Sequence, residues 1–259
     1  MYRCVALAVV IAILALSRAK ADDLKVRHPI IEYGEFEIDH NSTTTFDRAN
    51  TGRSNSQTHA TEFELGIFDW WKPGLEVVTA APAGENIHVD AFAFENYMQL
   101  TPQGKYWADL TLFGEVEHPV GRGDPRSFTI GPLIQKEVPN LIFGLDSVHT
   151  LNALYEKKWG PSNGDLSTMH LAWQSCALIH MNINPCVEYF GDLGVTGQGE
   201  GPRHRVGPGI AGKLPFRSFG LDLPGGLKYE VAYVFGLNDR TERGAIHARV
   251  EVELYPIRF

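Results

Sequence analysis

Several things that would mark a familiar enzyme or a helical membrane protein are scarce or missing in this sequence. Its 259 residues include only 3 cysteines and 4 methionines, with no Cys-x-x-Cys pair, no glycine-rich phosphate loop and no nucleotide fingerprint. Thiol redox chemistry and phosphate transfer therefore have no local motif to rest on. After the first segment no apolar run approaches the roughly 20 residues of a membrane helix, and apolar residues at helical 3.6-residue spacing are hard to find. Basic residues are also in deficit: 23 Lys and Arg against 31 Asp and Glu give a net charge of -8, which excludes nucleic-acid binding through a basic surface. Disorder is excluded in turn, because 44% of the residues are hydrophobic.

The N-terminus carries a recognisable signal. Arg3 precedes an apolar run from Val5 to Leu16, and Ala19 and Ala21 form an Ala-x-Ala cleavage pattern before Asp22 and Asp23. Residues 1–21 read as a secretory signal peptide and 22–259 as one exported domain. Removing Arg3, Arg18 and Lys20 deepens the acid excess. Cys4 leaves with the signal. Cys176 and Cys186 remain as a candidate disulfide, with two free thiols as the alternative.

The pattern that recurs in the exported part has period two. From Tyr106 to Glu117 the even positions are Tyr106, Ala108, Leu110, Leu112, Gly114 and Val116; the odd ones are Trp107, Asp109, Thr111, Phe113, Glu115 and Glu117. One face is apolar and the other mostly polar, as in a β-strand with two different surroundings. Ile246, Ala248, Val250, Val252 and Leu254 oppose His247, Arg249, Glu251 and Glu253 in the same way, and Phe63, Leu65 and Ile67 oppose Glu62 and Glu64. Such runs predict about twelve strands near 28–39, 58–68, 75–81, 87–100, 106–117, 127–137, 146–158, 168–180, 185–193, 205–214, 227–237 and 244–255. Short and long connectors alternate between most of them, with 41–57 read as a long polar loop; the connector from Pro215 to Gly226 is too long for its place.

Alternation alone also suits a soluble sandwich or a lipocalin-like barrel. An even strand number, the connector pattern, the signal peptide and a C-terminus ending Tyr255-x-Ile257-x-Phe259 decide between them. That ending resembles the signature by which bacterial outer-membrane barrels reach the barrel-assembly machinery. The expected architecture is an all-β antiparallel transmembrane β-barrel in the cell outer membrane, its apolar coat against lipid. Trp70, Trp71, Tyr106, Tyr155, Trp159 and Tyr255 are candidates for interfacial aromatic girdles.

A family resemblance supports this reading. Gly131-Pro132, Gln135-Lys136-Glu137, Asn152 and Tyr155-Glu156 resemble the central hairpin of outer-membrane barrels named after the meta-pathway of phenol degradation. Glu188 to Gly194, Gly207-Pro208-Gly209 and Phe235 to Asp239 are similar to that family's C-terminal half. The resemblance implies a transport-associated barrel without catalytic residues; no cofactor follows from it, and it names no solute.

If the apolar faces meet lipid, the opposite faces line a lumen. Its acidic candidates are Glu62, Glu64, Asp109, Glu115, Glu117, Glu188, Glu230, Glu251 and Glu253; its basic ones are His170, His180, Lys228 and Arg249. A wetted channel so lined favours cations. The expected function is a passive channel for small solutes, with a filled, non-conducting barrel as the alternative. Cys176 and Cys186 fall on lumen-facing positions equidistant from Met181, where a tight turn would set them opposite each other. His170, His180, Glu188 and the cysteines match no metal-ligand spacing, so no metal is expected. His40-Asn41-Ser42 has a His-x-Ser arrangement similar to that of outer-membrane lipid hydrolases, which keeps an enzyme in view. Arg122-Gly123-Asp124 and the sequon Asn41-Ser42-Thr43 read as ordinary loop chemistry.

Overall fold

The computed structural model describes residues 24–47, 55–121, 124–160, 166–195 and 201–255. Twelve strands follow one another: β1 (Phe36–Phe46), β2 (Ser56–Leu65), β3 (Trp71–Ala81), β4 (His88–Gln99), β5 (Asp109–Pro119), β6 (Arg126–Ile142), β7 (Leu145–Trp159), β8 (Leu166–Ala177), β9 (Asn184–Val195), β10 (Arg203–Pro215), β11 (Gly225–Gly236) and β12 (Gly244–Leu254). Each pairs antiparallel with its neighbours in sequence, and β12 closes on β1 from Phe36↔Leu254 to Phe46↔Gly244. The result is a closed antiparallel barrel without a free edge, the architecture expected from the sequence. We call the end that holds Phe36 and Leu254 the terminal end.

The barrel is inverted relative to a water-soluble fold. Phe63, Phe92, Phe94, Val116, Ile210 and Phe235 stand exposed on the outside, while Asn41, Glu62, Glu95, Thr111, Glu188 and His247 are buried within. Because side chains alternate along each strand, a single register sends most strand carboxylates inward and most large apolar groups outward. The interior also holds two apolar clusters: Leu24, Val26, Phe190, Val234 and Ala245, and Ile31, Tyr97, Phe113, Leu133 and Leu154.

The sequence reading is corrected at several strand ends. The first strand begins at Phe36, not residue 28, and residues 24–31 run inside the barrel. Asn41 to Thr45 are strand, not loop, because their inward members Asn41 and Thr43 hydrogen-bond to that internal segment. Asn41 is fully buried, so the sequon is not an accessible glycosylation site. His180 lies beyond the end of β8, exposed in the turn to β9, and does not face the lumen. The alternation of short and long connectors also fails: residues 100–108 at the terminal end are no shorter than 82–87 or 120–125 at the opposite end. The long connector after Pro215 is taken up by a 3-10 turn, Phe216–Phe219, closed by Gly220 in the left-handed region. Arg122-Gly123 and residues 256–259, including Ile257 and Phe259, lie outside the described residues, as do residues 1–23, which include the expected signal peptide 1–21.

Candidate functional site

The lumen holds the chain's own N-terminal segment. From Leu24 to Ile31 it runs extended toward the terminal end, then turns at Tyr33 and Gly34 into β1. Such a segment has no sheet neighbour, so its backbone groups need partners from the wall. They find them in polar side chains. Leu24 N–H donates to Thr43 Oγ1 at 3.3 Å, and Asn41 Nδ2 donates to Leu24 O at 3.2 Å. Arg249 Nη1 donates to Val26 O at 3.2 Å and Ile31 N–H to Gln99 Oε1 at 3.0 Å. Thr111 Oγ1 donates to Pro29 O at 2.5 Å. Asn152 acts on both sides of one residue: its Oδ1 accepts from Arg27 N–H at 2.7 Å and its Nδ2 donates to Arg27 O at 2.8 Å. A side-chain amide thus copies the paired bonds of a neighbouring strand.

The two faces of the segment match two different walls. Leu24 and Val26 pack into the apolar cluster with Phe190, Val234 and Ala245 on β9, β11 and β12. Lys25 and Arg27 point the other way, into carboxylates on β1, β2, β4 and β5. Lys25 is paired with Glu62 and lies 3.1 Å from Asp39; Arg27 Nη2 lies 3.2 Å from Glu95 and 3.3 Å from Glu115. Arg27 also sits 4.5 Å over the Phe113 ring. Nearer the terminal end, His28 Nε2 meets Glu230 Oε1 at 2.9 Å. Buried charges of this kind persist only when partnered, and removing one partner is costly.

Much of the rest of the interior is paired with cations of the wall. Lys72 bridges Glu37 at 2.6 Å and Glu64 at 2.5 Å. Lys228 joins Glu251 at 2.7 Å and Glu253, and Arg249 joins Asp39 at 2.8 Å and Glu251 at 2.9 Å. His170 lies between Asp192 at 2.6 Å and Glu156 at 3.2 Å. Glu117 is half-buried on the same inward side of β5 as Glu115. Asp109 serves the turn at the terminal end instead, accepting from Gly104 N–H at 2.6 Å. At that mouth Tyr255 Oη stands 2.8 Å from Glu35 and 2.9 Å from Glu32, and burial pushes both the Tyr255 hydroxyl and the Glu35 carboxyl above their usual ranges.

Two cavities flank the segment. One of about 330 Å³ opens toward the terminal end and is lined by His28, Glu32, Glu37, Lys228 and Glu253. The other, about 510 Å³, lies toward the opposite end, lined by Lys25, Arg27, Glu115, His170 and Arg205. Cys176 and Cys186 are register partners on β8 and β9, with Cα atoms 4.1 Å apart, and are joined by a disulfide facing inward near the terminal end.

His40 and Ser42 both project outward from β1 but turn to opposite neighbours. His40 Nδ1 meets Thr61 Oγ1 at 2.9 Å on β2, and the Ser42 hydroxyl donates to Ala248 O at 3.3 Å on β12. The base-to-nucleophile hydrogen bond of a hydrolase is not formed between them. Sequence reasoning missed Glu37, Asp39, Lys72 and Glu95 on the wall and, above all, Lys25, Arg27 and His28 of the internal segment. Two signals pointed to the segment: the alternation Leu24-Lys25-Val26-Arg27, and apolar residues such as Phe113 on inward faces, which an open aqueous lumen does not need.

No protein-family model and no curated protein matches the chain, so its likeness to the phenol meta-pathway barrels rests on the motifs alone. Solved structures resemble it in shape. The β domain of the Bordetella autotransporter BrkA aligns at 12% identity and a TM-score of 0.45 over 84% of this chain and 98% of that one. DcaP, an outer membrane channel of Acinetobacter baumannii, aligns at 7% identity and 0.26 over 92% and 100%. A loop-deletion mutant of OmpT, an outer membrane protein of Vibrio cholerae, aligns at 8% and 0.28 over 85% and 97%.

Proposed function

We propose that this protein is an outer-membrane β-barrel that passes small cations, and that its N-terminal segment closes the pathway in the conformation described. The exterior supports membrane residence: a closed barrel with an apolar outside and charged inside is stable in lipid and would aggregate in water. Antiparallel barrels of this kind place both termini on the periplasmic side, so the terminal end faces the periplasm. The observation that carries the closing role is the course of residues 24–31 between the two cavities. Lys25 and Arg27 occupy the place that permeating cations would take beside Asp39, Glu62, Glu95 and Glu115. Displacing the segment removes two positive charges and leaves a wall that favours cations.

A non-conducting structural barrel is the second reading. The burial of Leu24, Val26 and Ile31 in apolar clusters favours it, because each buried side chain of this size stabilises the inserted segment by about 1.5–3 kcal/mol. Ion flux separates the two. In liposomes, the double variant Lys25→Gln/Arg27→Gln is expected to pass potassium several-fold faster than the unaltered chain, with little chloride. Correctly folded variant barrels, shown by heat-modifiable gel migration, with no gain in flux would favour the structural barrel.

A further inference from the structure

We propose that Glu188, Glu230 and His247 form a binding site for one divalent transition-metal ion, with zinc the best match to the donor set. The three residues come from β9, β11 and β12, and their ligand atoms lie within 4.8 Å of one another. His247 is fully buried, yet neither ring nitrogen has a hydrogen-bond partner; its closest acidic oxygen, Glu188 Oε2, is 3.8 Å from Nε2. Glu188 Oε2 and Glu230 Oε2 are likewise without hydrogen bonds. An imidazole and two carboxylate oxygens, all desolvated and without hydrogen-bond partners, are costly apart from a ligand that accepts all three lone pairs. One divalent ion does so.

The other oxygens show how the site is held. Gln174 Nε2 donates to Glu188 Oε1 at 3.0 Å, and His28 Nε2 meets Glu230 Oε1 at 2.9 Å. Each carboxylate is thereby fixed by one oxygen and free at the other, the arrangement that outer groups give to metal ligands. Arg249 Nη1, 4.0 Å from Glu230 Oε1, lies on the fixed side. The strand between the ligands makes room for them. β10 passes between β9 and β11 with Gly207 and Gly209 on its inward face, and a Cβ at Gly209 would come within 3.4 Å of Glu188 Oε1. Ligands around a tetrahedral zinc at about 2.0–2.2 Å stand roughly 3.4 Å apart, a contraction that side-chain rotation supplies. The cavity at the terminal end is lined by Glu230, His28 and Gln174 and gives an ion access. The other close triad, Glu62, Glu76 and Glu95, differs: Lys25 and Arg27 already supply cations to two of its members. This site does not depend on whether the barrel conducts.

The experiment uses the full chain folded in detergent and stripped with a chelator. Zinc titration by calorimetry, with metal analysis after gel filtration, is expected to give one ion per chain. His247→Gln should abolish that ion, and Glu188→Gln and Gln174→Ala should weaken it at least ten-fold. X-ray absorption at the zinc edge of the unaltered chain, which needs no variant to fold, should show one imidazole with oxygen neighbours and no sulfur. No retained ion in the unaltered chain, a zinc spectrum without imidazole, or equal binding by folded His247→Gln would overturn the site.

Discussion

Asn152 illustrates how much one side chain can do inside the barrel. It pairs with both the N–H and the carbonyl of Arg27, and it is buried. Truncation leaves two backbone groups unpartnered where water is scarce, at about 1–3 kcal/mol for each such group. Asn152→Ala is therefore expected to lower thermal stability in detergent measurably, and to make the Leu24–Arg27 amides exchange faster with deuterium while amides of distant strands keep their protection. Unchanged exchange across 24–28 would contradict the role given to Asn152. In the sequence this residue was visible only as part of a family motif. Its role depends on a partner 125 positions away, which no local pattern reveals.

Among the elements, β6 and β10 share a device. Each carries Gly-Pro at its centre, Gly131-Pro132 and Gly207-Pro208. Pairing with the following strand passes from Ile130↔Tyr155 to Leu133↔Asn152, and from Val206↔Phe235 to Gly209↔Ala232. Proline has no N–H to give to the ladder, and glycine lets the next backbone close in: a Cβ would stand 2.0 Å from Ala153 O at Gly131 and 1.8 Å from Tyr233 O at Gly207. Pairing with the preceding strand continues through both dipeptides. The hairpin joining β6 to β7 is tighter. Phe143 and Gly144 have φ of 51° and 80°, the two left-handed positions of a tight turn, and phenylalanine is a poor occupant of the first. Phe143→Asn is expected to stabilise the barrel by about 1 kcal/mol, read as a higher unfolding temperature in detergent; a lower temperature would mean that the exposed ring contributes more than its backbone costs. Strand identity was legible because the outside and inside differ so sharply in polarity. Strand ends were not, because Asn41 to Thr45 are polar both where they face the internal segment and where they face out.

For the whole molecule, parity revealed the strands and which residues share a face, since each follows from a side chain's position in its own strand; that the acidic face points inward needed the even strand number and the terminal signals as well. The occupant of the lumen was hidden. Residues 24–27 alternate as a strand does, and only closure of the barrel shows that no strand is left to pair with them. The candidate metal ligands were hidden for the same reason: 188, 230 and 247 have no motif spacing, and Glu188 on β9 reaches the paired strands β11 and β12 only across β10. The central claim is that Leu24 to Ile31 close a cation pathway. Planar-bilayer recording of the barrel with residues 24–31 deleted, beside the unaltered chain, tests it most directly. The account predicts a quiet unaltered chain and steady, cation-selective conductance steps from the deletion variant. A folded deletion variant that stays silent, or that selects anions, would contradict it.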